Sequence, residues 1–308
     1  MNPYNYLKDK NQPNLQLKKT TRHWSHYLVD FPTAHPTPYE LNNTVLGEYF
    51  QPRGAENAPL VVLLHGIGDP SVTPCKLLAK TLARKGIASF VIYSVMHSKR
   101  MPADVMKRFP HLTQQEWFES HQISVIDLFQ VIDWAESRAE INAEKIAAIG
   151  VSFGGFISAI AMGLDQRIKA AGLIVTGGNS TKIGWETRAS DYNKRRTQTR
   201  AGYEKVLNSY MKYLAEVEEK GLEKVTPPEE SFWIDPMTFA HLLRKRPVLM
   251  INAHWDQAIP KEATLDFWKA AGKPPISWLP ATHPTIWLWY PIIRRKIIRF
   301  LKSAFDIR

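Results

Sequence analysis

A serine set between glycines, an aspartate just past an apolar run and a histidine in a late loop could together do nucleophilic chemistry. The serine is Ser152, inside IAAIGVSFGGFISAIAM, residues 146–162. Gly150 and Gly154 stand two positions to either side of it, and the absence of a Cβ at both lets a strand and a helix approach closely at a sharp turn. The turn then presents the hydroxyl at its tip, the G-x-S-x-G arrangement of a nucleophile elbow. A serine is inert at neutral pH unless a base takes its proton, a third group orients that base, and N–H donors receive the oxyanion. His283, in ISWLPATHPTI, is the candidate base. Asp256, in PVLMINAHWDQAIP, is the candidate orienting group, placed just beyond an apolar strand. The donors are sought in HGIGDP, residues 65–70, where Gly66 and Gly68 let backbone amides turn inward behind His65. On that reading Ile67 and Phe153, the latter directly following the serine, donate to the oxyanion, and His65, Gly66 and Gly68 support the loop.

Each of these residues has a plainer reading. A glycine-flanked serine occurs in ordinary turns, Asp256 could cap the helix expected from Lys261, and a single histidine is more often structural than catalytic. What favours chemistry is the set. The order Ser152, Asp256, His283 is the Ser…Asp…His order that accompanies this kind of elbow, and each member is expected at the carboxyl end of a strand, where open α/β sheets collect their ligand chemistry.

The elements that must position these residues follow from periodicity. Short apolar runs are expected as strands at residues 26–31, 44–51, 60–64, 88–94, 146–151, 171–176, 248–252 and 276–279, eight in all. Helical patterns alternate with them at 74–85, 116–140, 153–164, 261–271 and 285–305, with residues 142–145 turning the chain into the serine strand. Such alternation implies a mainly parallel sheet with helices on both faces. Residues 1–25 are polar and aperiodic and read as a surface arm. Residues 178–243 hold no good strand and are far too long for a loop, so they read as a helical cap or lid insertion. The α/β core is then residues 26–177 and 244–308. Within the insertion, Trp185, Tyr192, Tyr203, Tyr210, Phe232, Trp233 and Phe239 are expected to form the insertion's own core, with a pocket lining as the alternative.

Residues 45–305 resemble the α/β-hydrolase superfamily, and within it the dienelactone-hydrolase and acyl-peptidase-like serine esterases. HGIGD, GVSFGG, Asp256 and His283 carry the resemblance, together with the long helix that ends in VIDWAESRAEINAEKIAAIGVSFGG. It implies an α/β-hydrolase fold with a cap over the site. Two features depart from that branch: dienelactone hydrolases carry a cysteine where Ser152 stands, and 308 residues leave no room for the peptidases' propeller domain. The expected activity is hydrolysis of short-to-medium carboxylic esters. A peptidase or acyltransferase using the same three residues, or a ligand-binding protein on the same fold, remains the alternative. A carboxylate nucleophile, as in dehalogenases and epoxide hydrolases, is excluded at position 152.

No HExxH, Walker loop or GxGxxG pattern is present, so no metal or organic cofactor is expected. The net charge of +11 is dispersed among the N-terminal residues, residues 188–200 and the last helix, without a zinc-finger or RNA-binding motif. It reads as solvated faces, and no nucleic-acid partner is expected. The last helix has Ile293, Ile297, Phe300, Leu301 and Phe305 at helical spacing with basic residues opposite. Packing of that stripe on the sheet is expected, in preference to attachment to an anionic membrane. One cysteine, Cys75, excludes an internal disulfide and fits a reducing compartment. With no apolar leader in MNPYNYLKDKNQPNLQLKKTT, a cytoplasmic protein is expected. An oligomer is possible.

Overall fold

The computed structural model describes residues 2–8, 13–67, 72–189 and 199–307. Nine strands form one sheet: β1 (Asn14–Thr20), β2 (Trp24–Pro32), β3 (Thr44–Pro52), β4 (Ala58–Leu64), β5 (Ala88–Tyr93), β6 (Ile141–Val151), β7 (Ile168–Ile174), β8 (Val248–Ala253) and β9 (Ile276–Leu279), in the spatial order β1-β2-β3-β5-β4-β6-β7-β8-β9. The first three strands are antiparallel to their neighbours, and β3 joins β5 antiparallel. From β5 to β9 every pairing is parallel.

Apolar runs make the central strands. All seven residues of β4 and all six of β5 and β8 are buried, as expected where helices cover both faces. On one face α3 (Gln114–Glu136) and α4 (Phe153–Leu164) close a core with Leu60, Val62, Phe90, Ala148 and Leu173. On the other, α1 (Thr73–Ala83) and α9 (Tyr290–Phe305) pack over Val61, Leu63, Val91, Ala147 and Ile149. Ile293, Ile297, Leu301 and Phe305 of α9 are buried in this second core, so the apolar stripe of the basic last helix is spent on the sheet. The start of α3 carries a reciprocal capping box. Thr113 accepts from the Glu116 amide, and the Glu116 carboxylate accepts from the Thr113 amide, satisfying two donors that a helix end leaves orphaned.

Three expectations need correction. The sheet has nine strands, not eight, because residues 14–20 of the expected arm pair with β2. Six of those seven residues are exposed, so this edge strand has little apolar alternation to betray it. Residues 142–145 belong to β6, whose irregular pairing with β4 between Ile141 and Ile146 disguised it as a turn. The last helix is preceded by a separate 3-10 turn at Pro284–Trp289.

Residues 178–243 are helical where described: α5 (Ser180–Glu186), α6 (Arg200–Lys220) and α7 (Pro236–Phe239), with short 3-10 turns. Tyr210, Tyr213, Phe232, Trp233 and Phe239 cluster here, and the cluster is continuous with the α3/α4 core. Trp185 of α5 stacks on Tyr203 of α6 with ring centroids 4.8 Å apart. Tyr192 lies outside the described residues. Two further helices lie among the described residues, α2 (Ala103–Arg108) and α8 (Lys261–Ala270).

Candidate active site

The carboxyl ends of four parallel strands meet at one point. Leu64 ends β4 and leads into His65; Val151 ends β6 and leads into Ser152; the turn after β8 carries Asp256; the loop after β9 carries His283. Parallel strands put all these ends on the same edge, so residues 65 and 283 become neighbours.

Ser152 adopts φ 51° and ψ −115°, a backbone conformation that non-glycine residues rarely occupy. Its surroundings enforce it. Its amide donates to the Ile174 carbonyl at 2.8 Å, and its carbonyl accepts from Gly155 at 2.8 Å. The flanking glycines are sterically required: a Cβ on Gly150 would lie 1.9 Å from the Gly154 carbonyl oxygen, and one on Gly154 would lie 2.4 Å from that of Leu64.

His283 Nε2 lies 3.0 Å from Ser152 Oγ, and its Nδ1 lies 2.8 Å from Asp256 Oδ2. The other carboxylate oxygen, Oδ1, accepts from the Ala258 and Ile259 amides, both at 2.9 Å. Two backbone donors therefore fix the Asp256 plane, and its remaining oxygen fixes the imidazole. A carboxylate can only accept from Nδ1, which leaves Nε2 with its lone pair toward the serine proton. The structure thus brings together the three residues singled out from sequence, in the geometry a proton relay from Oγ to Nε2 requires.

The loop after β4 lies against the same serine. A Cβ on Gly66 would sit 3.4 Å from Ser152 Cβ. His65 is buried and ties this turn at both ring nitrogens. Nε2 accepts from the Ser94 amide at 3.2 Å, so Nδ1 carries the proton and donates to the Gly66 carbonyl at 2.8 Å. Ile67 follows in the pocket wall, and Phe153 occupies the first position of α4, where a helix amide has no partner within the helix. Gly68 lies outside the described residues.

A cavity of about 380 Å³ opens beside Ser152, large enough for a small organic ligand. Its walls include Trp117 and His121 of α3, Phe156 of α4, Ile183 of α5, and Thr187 and Ile259. Sequence reasoning did not single these out as site residues. Trp117 and His121 stand one helical turn apart on a face directed at the sheet edge, a signal visible in the sequence; Ile183 and Thr187 carry no such pattern. A smaller cavity of about 160 Å³ lies on the other side of the serine, with Cys75, Val151 and Trp287 in its wall.

Buried anchoring holds α5 in place at this wall. The Asp235 carboxylate accepts from the Asn179 amide at 2.9 Å, the Met237 amide at 2.8 Å, and the Ser180 amide, while burial pushes its pKa up. Behind Phe153, His97 stacks on its ring at 4.8 Å and His121 meets it edge-on at 4.7 Å. Burial pushes the His97 imidazole down to about 3 and that of His121 to about 4, so both are uncharged at neutral pH.

Residues 59–203 match the family model described as alpha/beta hydrolase fold. The chain superposes on an acetyl xylan esterase from Paenibacillus sp. R4 with a TM-score of 0.66 at 20% identity, covering 95% of this chain and 88% of that one. An esterase from an Arctic intertidal metagenomic library gives 0.62 at 16% identity, over 93% of this chain and 96% of that one. Acetyl xylan esterase 1 from Thermoanaerobacterium sp. JW/SL YS485 gives 0.62 at 14% identity, over 96% and 89%. No curated protein matches in sequence. The order of the strands and the site at their carboxyl ends define an α/β fold built around a serine turn. With the family match, they make this chain an α/β-hydrolase-fold protein.

Proposed function

We propose that this protein is a serine carboxylester hydrolase acting on short-to-medium acyl esters. The observation that carries the reading is the unbroken hydrogen-bonded chain from Asp256 through His283 to the Ser152 hydroxyl. In the proposed reaction Ser152 Oγ attacks the acyl carbon while His283 Nε2 takes its proton, and Asp256 stabilises the imidazolium that results. The Ile67 and Phe153 amides receive the oxyanion. His283 then gives its proton to the departing alcohol, and water, activated by the same nitrogen, releases the acid from the acyl-enzyme. No step calls for a metal or organic cofactor. That three structurally similar proteins bear the name esterase agrees with this choice of substrate class. In this reading residues 178–243 act as a cap, of which α5 forms the wall nearest the serine, and the enzyme works in the cytoplasm.

The test is a series of p-nitrophenyl esters from acetate to decanoate, run beside aminoacyl-naphthylamides, with wild-type enzyme and Ser152→Ala. The expected result is a kcat/KM maximum within the shorter half of the ester series, and loss of that activity in the variant. Turnover confined to the amides, or a Ser152→Ala enzyme as active as wild type, would remove the proposal.

A further inference from the structure

His121 sits in the wall of the larger cavity beside Ser152, 2% exposed. Its Nδ1 lies 2.8 Å from the carbonyl of Trp117, four residues earlier on α3. A carbonyl only accepts, so Nδ1 carries a proton. The ring is also neutral, since burial holds its pKa at about 4. Nε2 is therefore an unprotonated acceptor, and it has no hydrogen-bond partner among the described residues. His121 lines the cavity beside Ser152, so this acceptor is free to pair with a ligand donor there.

One other polar group of that wall has the same character. The Thr187 hydroxyl donates its single proton to the Gln257 carbonyl at 3.1 Å, which leaves it only lone pairs toward the cavity. Among the described residues, no Lys, Arg, Asp or Glu lines the cavity. Beyond the amides beside Ser152, the described wall adds the Trp117 indole N–H and the Ser180 hydroxyl as side-chain donors, with His121 Nε2 and the Thr187 oxygen as acceptors on otherwise apolar surface.

We infer that the cavity selects neutral esters bearing a hydroxyl group a few bonds from the scissile carbonyl, with His121 Nε2 as the acceptor that recognises it. A plain alkyl ester fits the apolar wall but leaves that nitrogen unpaired. A carboxylate or phosphate would meet a lone pair at His121 and find no described cationic side chain in the wall, and is disfavoured. This inference rests on the ester-hydrolase reading and names its substrate class.

Two matched pairs test it, one for each side of the ester. Ethyl butyrate is compared with ethyl 3-hydroxybutyrate, and propyl butyrate with 1-butyrylglycerol. The methoxy analogue of each hydroxyl ester keeps the electron withdrawal and removes the donor. All rates are normalised to alkaline hydrolysis. In at least one pair, wild-type kcat/KM is expected to be about five- to tenfold higher for the hydroxyl ester than for its alkyl and methoxy counterparts, the size of one net hydrogen bond. His121→Phe abolishes that preference, and His121→Gln, which keeps an acceptor, restores part of it. Equal kcat/KM across both sets, or a preference unchanged in His121→Phe, overturns the inference while leaving the hydrolase reading intact. If His121→Phe does not fold, the comparison of wild-type rates on hydroxyl and methoxy esters decides by itself. Hydrolysis of none of these esters overturns the parent reading and this one with it.

Discussion

Asp256 is held by two amides on one carboxylate oxygen and by His283 on the other, which makes its amide replacement unusually informative. In Asp256→Asn the side-chain oxygen stays with the Ala258 and Ile259 amides, because only an acceptor can satisfy them. The new NH₂ group must then face His283 Nδ1. That nitrogen becomes the acceptor, the proton moves to Nε2, and the histidine presents a donor to Ser152 where a base is needed. A fall in kcat of about 10⁴ with little change in stability is expected, measured by ester hydrolysis and urea unfolding. His283→Ala should fall further, on the order of 10⁶. Wild-type turnover in Asp256→Asn would show that another carboxylate does the orienting. That Ser152, Asp256 and His283 come together was legible in the sequence, because residue type, order and position after a strand all point to one shared site. His121 was passed over because it precedes the serine in sequence, and nearness along the chain says little about which helix wall faces a cavity.

Among the elements, the junction of β6 and α4 bears the tightest constraint. The two flanking glycines allow backbone to touch backbone, and neither contact can be relieved by a side chain turning aside. Gly154→Ala is expected to cost about 1–3 kcal/mol through overpacking and to lose more activity than stability, since relieving the contact displaces the Phe153 amide. Ser152 itself bears backbone strain of about 1–3 kcal/mol at φ 51°. Ser152→Gly should therefore be more stable than Ser152→Ala by about 1 kcal/mol, though both are inactive. Equal unfolding midpoints for those two variants would mean that the turn is unstrained. The strands around this junction were readable because burial on both faces demands continuous apolar runs. The edge strand β1 was not, because an exposed edge is held by backbone hydrogen bonds that any sequence can make. The placement of α5 depends on Asp235, 55 residues beyond Ser180 in sequence, a distant anchor that local pattern cannot reveal.

For the whole molecule, the buried histidines set an acid limit. His97 and His121 are neutral in the folded state, with pKa values lowered to about 3 and about 4 from the ordinary 6.5. The unfolded chain binds these protons first, so stability is full above about pH 6.5 and falls as pH drops toward those folded values. Glu48, held down to about 2 by His26, Lys76 and Tyr93 against the opposing effect of its burial, adds a second loss between about pH 4.5 and 2. Urea midpoints across this range should decline in that order, and His121→Phe should flatten the first stage. A midpoint independent of pH between 6.5 and 4 would contradict the burial assigned to both rings. At this scale the basic charge is dispersed, and no described helix is long and apolar enough to cross a membrane.

With His283 and Asp256 behind it, the Ser152 hydroxyl is expected to be more nucleophilic than every other in the chain. Reaction with a fluorophosphonate, followed by peptide mass spectrometry, measures that directly. The expected result is a single phosphonyl adduct on Ser152, formed rapidly in wild type, drastically slowed in His283→Ala, and absent in Ser152→Ala. An adduct on a different residue, or labelling of Ser152 at the same rate with and without His283, would contradict it.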